Sequence, residues 1–510
     1  MARDVESARP TGDAADWLRP VATPGRFLLL LAIYFVWQIV LRLVTSNSAE
    51  LDESEQLLFT QKLAWGYGPQ PPLYTWLQFP FINQPGPSIL ALALFKNALL
   101  FCLYALTYWS GRLLTRSHWL AVAATVSLLF VPQISWEAQR DLTHSVLVTL
   151  ASAATFFVFL RLRHRQRLRF YLILGLCIGF GVLTKYSYLL VLAGLILAAL
   201  SLPSLRPIIC DRRMLLSLAL GALIVTPHLV WAKHHREAVL AASGKFQIKT
   251  GQPWIKTTAT GARNLAGAIG AHAGALLGVY LLLCWKRTTE PLTGLVDRDC
   301  VRLIARSLAI IFAMLIVAII GFQVTNFKDR WLLPVCISLP LFLVGALQSR
   351  LSLTRLKCMM GIGAVVIATV SAFLPGRIWF AERLNKPDQP NAPFDKLSVE
   401  MRRIYPEPGL FVAENFWIGG NLRLFFPKTP VWTPRVPLRP PVRNGDDCVV
   451  VWDATKDAQP PEKLMSFAGQ FAELDADTNH ASYVEAPLKF FQTRTMRLGL
   501  MRGKLKQGQN

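Results

Sequence analysis

The sequence predicts an α-helical polytopic membrane protein of about eleven spans with a small extracytoplasmic α/β domain at its C-terminal end. Three observations lead there. The 510 residues are 53% apolar, with a mean hydropathy of +0.37, too hydrophobic for an ordinary soluble enzyme. The excess is gathered into blocks close to the ~20 residues that cross a hydrocarbon core as a helix. The linkers between blocks alternate sharply in charge.

The blocks fall at 27–45, 88–109, 119–133, 144–160, 170–184, 187–203, 214–231, 264–285, 303–323, 331–348 and 358–375. The block at 119–133 is the shortest; without it the neighbouring charged linkers fall on inconsistent sides. The first block is long, carries Arg42 near its outer end and lacks a small-residue cleavage site, so it reads as an uncleaved helix and not a signal peptide. Arg112 and Arg116, RLRHRQRLR (161–169), Arg206 with Arg212 and Arg213, Lys286 to Arg302, and Arg350 to Lys357 occupy every second linker. Between them, 46–87 has only Lys62 as a cation and 134–143 only Arg140. Basic linkers stay in the cytoplasm. That places 1–26, with Arg3, Arg9, Arg19 and Arg26, inside, and the region after 375 outside. The formal charge of +23 is therefore spread over short loops, which argues against a nucleic-acid partner. The eight cysteines imply neither a disulfide framework nor a CxxC metal pair.

The expected domains are a cytoplasmic segment 1–26, a membrane domain 27–375 whose first outside loop is 46–87, and an extracytoplasmic α/β domain 376–510. In the last, FAERLNKPDQPNAPF is a linker, LSVEMRRIY a helix, GLFVAEN and CVVVWDA strands, and the alternation continues to YVEAPLKFFQTRTMRLGLM. The tail RGKLKQGQN is expected to fray. No repeat or inverted symmetry is visible.

The first outside loop opens on Asp52, Glu53 and Glu55 in LDESEQLLFTQKLAWGYGPQPPLYTWLQ. Two short interfacial helices are expected around the GYGPQPP turn, with Phe59, Trp65, Tyr67, Tyr74 and Trp76 at headgroup depth, in contact with membrane lipids. An acidic first turn after Ser/Asn caps is the plain explanation of the acids. Other outside junctions also carry polar residues where solvation is poor: Glu137, Arg140, Asp141 and His144, then Lys185, then Lys328, Asp329 and Arg330. Lys185 sits in GFGVLTKYSYLLVL, a connection too short to take its ammonium far from the apolar slab; it lines a cavity or snorkels to headgroups. Carboxylates with cations opposite suit transfer from a phosphate leaving group, which needs a base for the incoming hydroxyl and positive charge for the departing oxygen. No nucleotide-binding loop of the GxxxxGK[ST] or GxGxxG type occurs, so a lipid-phosphate donor is the more plausible activated substrate.

The first-loop stretch resembles the signature of bacterial glycosyltransferase family 39, with its Asp-Glu pair, aromatic-Gly run and Pro-Pro-Leu. That family belongs to the GT-C-type membrane transferases and includes protein mannosyltransferases and the lipid A aminoarabinose transferase. RDLTHSVLVTLASAATFFVFLR, GFGVLTKYSYLLVL, TPHLVWAKHH and KDRWLLPV resemble later motifs, so the resemblance runs over roughly 25–350. It implies Asp52 as the catalytic acid beside Glu53, Asp141 as the second-loop acid, Lys185 as the donor-phosphate cation and, more loosely, Arg330. Gln70 stands where relatives commonly have His or Lys, which shifts phosphate neutralisation towards Lys185 and Arg330. Glu55, Tyr67, His144 and Tyr186 complete the candidate donor- and acceptor-binding set.

The activity this implies is an inverting transfer of a sugar from a polyprenyl-phosphate donor to a lipid A, lipopolysaccharide-core, other glycan or protein acceptor. The site would face the periplasm of a bacterial inner membrane. The need for a metal is left open: three close carboxylates could hold Mg²⁺ or Mn²⁺, and a lysine-rich site can work without a cofactor. A transporter or flippase of lipid-linked sugars is the alternative; it predicts polar residues at span centres and broken helices in matched halves.

Overall fold

The structure, a computed structural model, describes residues 19–84, 86–241, 243–247, 252–434, 436, 439–440, 447–474 and 481–506. Arg3 and Arg9 of the expected cytoplasmic segment lie outside the described residues. The chain divides into two compact units. One comprises Met1–Trp37, Pro69–Pro71 and Asn97–Val370, the other Gln38–Gly68, Pro72–Lys96 and Ser371–Asn510.

Among the described residues, seven helices are long and apolar enough to cross a membrane: Pro24–Thr45, Ile89–Thr115, His144–His164, Arg213–His234, Trp254–Cys284, Arg298–Phe322 and Leu353–Trp379. Two expected blocks fall instead on bent pairs. His118–Phe130 meets Gln133–Asp141 at 74°, and Asp329–Cys336 meets Leu339–Ala346 at 56°. Two others are the shorter apolar helices Leu168–Thr184 and Tyr188–Leu200.

In the first unit, packing relies on small residues that bring backbones together, as expected where lipid removes the hydrophobic drive between helices. A Cβ on Gly175 would lie 2.8 Å from the Ser217 carbonyl, and one on Gly179 2.8 Å from Ile224, so Leu168–Thr184 and Arg213–His234 meet along a glycine seam. A Cβ on Gly181 would lie 2.3 Å from the ring of Tyr188. That ring is fully buried, and its hydroxyl bonds Thr155 at 2.7 Å. Several buried hydroxyls are satisfied within their own helices: Thr107, Thr125, Thr149 and Ser152 each donate to the carbonyl four residues back.

The second unit is built on a six-stranded sheet. Its strands are β1 Leu410–Ala413, β2 Val431–Trp432, β3 Asp447–Asp453, β4 Ala472–Leu474, β5 Ser482–Leu488 and β6 Phe491–Leu505. β1 pairs in parallel with β2 and β3, and β6 pairs antiparallel with β3, β4 and β5. Short parallel strands buried on both faces explain the continuous apolar run Val449–Val451. The expected helix forms at Phe394–Ile404 and a further one at Phe416–Phe425. The tail departs from expectation: Arg502–Leu505 do not fray but continue β6, paired with β3 and β4.

The two loop helices form, at Leu51–Phe59 and Leu73–Asn83, and Gly68 turns the chain between them at φ +152°. Most of their aromatics are packed inside the protein and not presented to lipid. Phe59 and Tyr67 stack at 5.2 Å and join Phe394, Phe411, Ile418 and Leu498 in one core; Tyr74 is also buried, and only Trp65 is widely exposed. Gln61 completes the join, donating to the Val431 carbonyl and accepting from the Val431 amide, both at 2.8 Å, as a neighbouring strand would.

Gly181→Ala should lower the thermal midpoint of the detergent-purified protein, at a cost of about 1–3 kcal/mol for overpacking. Gly278→Ala, where a Cβ meets nothing within 4 Å, should leave the midpoint in place.

Candidate active site

The acidic helix Leu51–Phe59 starts at Glu50, whose amide donates to Glu53 Oε2 at 3.1 Å. The cap is thus a glutamate, not the Ser or Asn expected. Glu53 is 2% exposed and lies between two cations. Arg42 Nη2 reaches Oε2 at 2.6 Å, Arg42 Nε reaches Oε1 at 3.3 Å, and Lys96 Nζ lies 3.6 Å from Oε1. Arg42 also donates to the carbonyls of Ser46 at 2.7 Å and Ser48 at 2.9 Å. Burial alone would raise the Glu53 carboxyl, but Arg42 and Lys96 outweigh it and hold the group down to about 2. Glu53 is therefore ionised at any physiological pH and unsuited to accept a proton.

Asp52 is turned about 100° round the helix from Glu53. It is half-buried, as is Glu55. Burial, together with the charges of Glu53 and Asp52, pushes the Tyr74 phenol far above its ordinary range, so Tyr74 stays a neutral hydroxyl. Tyr67 is in the core, its hydroxyl donating to the Lys62 carbonyl at 2.9 Å and accepting from the Ala64 amide at 3.0 Å, which gives it a structural place. Among the described residues no group of three or more His, Cys, Asp or Glu side chains is placed to hold a metal ion. Glu53 is committed to two cations, Arg42 and Lys96.

The other candidates lie in the first unit. Gln70 is half-buried in the short Pro69–Pro71 segment. Asp141 ends the Ala138–Asp141 turn, and buried His144 begins the helix that follows. Lys185 caps Leu168–Thr184 with extended backbone and donates from Nζ to Ser145 Oγ at 3.1 Å, beside His144 in sequence. Its ammonium is half-buried against protein rather than wholly turned to the lipid surface. Tyr186 bonds His228 Nε2 at 2.8 Å and stacks on it, and the stack continues through Trp231 to His235. The Arg330 amide donates to Asp329 Oδ1 at 2.8 Å. So the structure joins Lys185 to the His144 helix and Tyr186 to the TPHLVWAKHH segment, and it keeps Arg330 with Asp329.

Sequence reasoning missed Arg42, Lys96, Ser145 and His228. Arg42 and Lys96 were legible as rare charges inside apolar blocks, the usual sign of a buried partner. Ser145 and His228 carried no such signal.

Glu53→Gln should strip Arg42 and Lys96 of their counter-ion and cost about 3–5 kcal/mol, read as a fall in thermal midpoint. The depressed carboxyl also fixes a pH dependence. Stability from Glu53 is complete above the ordinary glutamate value of 4.5 and is lost as pH falls towards about 2. Acid titration of the wild type should show this loss, and Glu53→Gln should flatten it.

Comparison with known proteins bears out the resemblance read from the loop motif. Residues 69–231 match the family model described as dolichyl-phosphate-mannose-protein mannosyltransferase. The chain is 34% identical over 465 residues to the lipopolysaccharide core galacturonosyltransferase RgtB of Rhizobium johnstonii, spanning 90% of this chain and 93% of that protein. It is 32% identical over 463 residues to RgtA of the same organism, also a lipopolysaccharide core galacturonosyltransferase, spanning 88% and 90%. In fold it is similar to ArnT from Cupriavidus metallidurans bound to undecaprenyl phosphate, with a TM-score of 0.57 at 12% identity, covering 94% of this chain and 98% of that one. Shared sequence along nearly the whole chain makes this polytopic membrane protein a glycosyltransferase of the family that contains the lipopolysaccharide core galacturonosyltransferases RgtA and RgtB.

Proposed function

We propose that the protein moves a sugar, galacturonic acid or a close relative, from a polyprenyl-phosphate donor to lipopolysaccharide core or lipid A. The reaction takes place at the periplasmic face of a bacterial inner membrane. The observation that carries this reading is the 34% identity to a lipopolysaccharide core galacturonosyltransferase over 90% of the chain. The alternation of basic linkers supports the orientation.

In this reading Asp52 takes the proton of the acceptor hydroxyl, whose oxygen attacks the anomeric carbon as the bond to the phosphate oxygen breaks. The polyprenyl phosphate leaves with the bonding pair, and the configuration inverts. Lys185 and Arg330 offset the charge that develops on the departing phosphate. Glu53 cannot replace Asp52, because its charge is already committed to Arg42 and Lys96. If the acceptor nucleophile is itself a phosphate, Asp52 orients it instead. Broken helices, which a flippase would also need, are present. The named relatives, however, are transferases.

A deletion strain compared with its parent by mass spectrometry should lack one glycosyl mass on lipopolysaccharide core or lipid A and accumulate the loaded polyprenyl carrier. Asp52→Asn should reproduce that loss, with turnover down by about 10²-fold or more in purified protein of unchanged thermal midpoint. Unaltered lipopolysaccharide in the deletion strain would refute the acceptor class.

Lys185→Ala should abolish most turnover and weaken donor binding, and Lys185→Arg should restore only part, since a planar guanidinium does not reproduce a compact ammonium. An alanine variant with wild-type donor affinity would remove Lys185 from the site.

A further inference from the structure

The first unit holds a polar cluster that the transfer step above does not use, formed where the two bent spans meet. Gln133 opens a π-helical turn, Gln133–Glu137, just after the first break, and Asp329 begins the second bent pair. Gln133 Nε2 donates to Asp329 Oδ2 at 2.7 Å and, more weakly, to the Ala271 carbonyl at 3.3 Å. The Glu137 carboxyl lies close enough to Asp329 to feel its charge. His272, on Trp254–Cys284, follows Ala271 and feels the Asp329 charge.

Two atoms of this cluster are buried without a partner among the described residues. They are Oε1 of Gln133, a residue 2% exposed, and Nδ1 of His272, a residue 3% exposed. The donations to Asp329 and Ala271 fix the Gln133 amide, so its orphan atom is an acceptor. Orphaned buried polar groups call for an explanation, and broken helices inside a membrane are tolerated where they border a cavity or a substrate.

The chemistry narrows the ligand. A phosphate needs donors and would be repelled by Asp329. An acyl chain would leave the orphans unpaired. A metal ion finds no group of three ligands among the described residues. A sugar hydroxyl both donates and accepts, and so matches a mixed set of amide oxygen, imidazole nitrogen and carboxyl pair. We infer that Gln133, Glu137, His272 and Asp329 form a subsite that reads the ring hydroxyls of the transferred sugar. The inference rests on the polyprenyl-phosphate-sugar donor proposed above and adds to it the residues that tell the sugar from the carrier.

The test compares binding of undecaprenyl phosphate with and without attached galacturonic acid to purified full-length wild type, Gln133→Met and His272→Asn. The wild type should prefer the loaded carrier. Each variant should lose at least tenfold affinity for it and stay within twofold for the bare carrier, a split that general destabilisation does not produce. Ring-deoxy donors test the same point on unmodified protein and should bind the wild type at least tenfold more weakly than the full sugar. Equal losses for both carriers, preserved preference in both variants, or indifference of the wild type to every ring hydroxyl would overturn the subsite alone. Failure of the wild type to bind either carrier would overturn the donor reading and the subsite with it.

Discussion

The buried carboxylate of Glu53 is the constraint on which the second unit depends. One anion meets two cations from different helices, Arg42 at the end of Pro24–Thr45 and Lys96 near the start of Ile89–Thr115. Arg42 turns its remaining donors on the Ser46 and Ser48 carbonyls, so the chain leaving the first span is bent back around the same guanidinium. A buried ion pair is weak evidence of stability, because desolvation consumes much of the attraction. Its force is conditional: once one member is buried, the others must arrive in register. That condition, more than any favourable energy, places the acidic helix.

A second set of contacts continues from it. Arg377 pairs with Glu50, the helix cap, and with Asp388. Ser46 and Ser48 donate to the carbonyls of Pro390 and Ala392, and Asn421 brackets Ala49 through both its amide and its carbonyl. Residues 46–50 are thus held by chain from 377–421, far away in sequence, and the helix Leu51–Phe59 that follows them belongs to the sheet unit. Asp52, the base proposed above, stands on that helix. A base must be held within a fraction of an ångström of its proton, and helix placement by buried charge supplies such a support.

What could be read from the sequence follows from what each signal measures. Apolar length gave the helical membrane class and located the blocks, and strand propensity found β1 and β3. Asp52 and Lys185 were legible as charges in places where solvation is poor, and the motif resemblance pointed to them too. The roles of adjacent acids were not. Asp52 and Glu53 look equivalent in LDESE, and only the arrival of Arg42 and Lys96 from the two flanking helices separates an ion-pair member from a candidate base. The loop aromatics were misread for a related reason: an amphipathic ring suits a headgroup layer or a protein core equally, and the sheet that buries Phe59 and Tyr67 lies over 300 residues further along.

The bent spans mark the same limit from the other side. Hydropathy averages over a window and cannot see a change of axis, so 119–133 looked like a short span and 331–348 like a straight one. The residues that make the bends worth having are polar and sit at their edges. Pro132 lacks an amide to continue a helix, Gln133 and Asp329 bind across from one bent segment to the other, and Glu137 lies near enough to feel the Asp329 charge. Two straight helices of the same composition would bury their polar side chains singly at lasting cost. Bending lets those side chains meet one another, which is why the polar residues that looked scattered along the sequence gather where the membrane helices break.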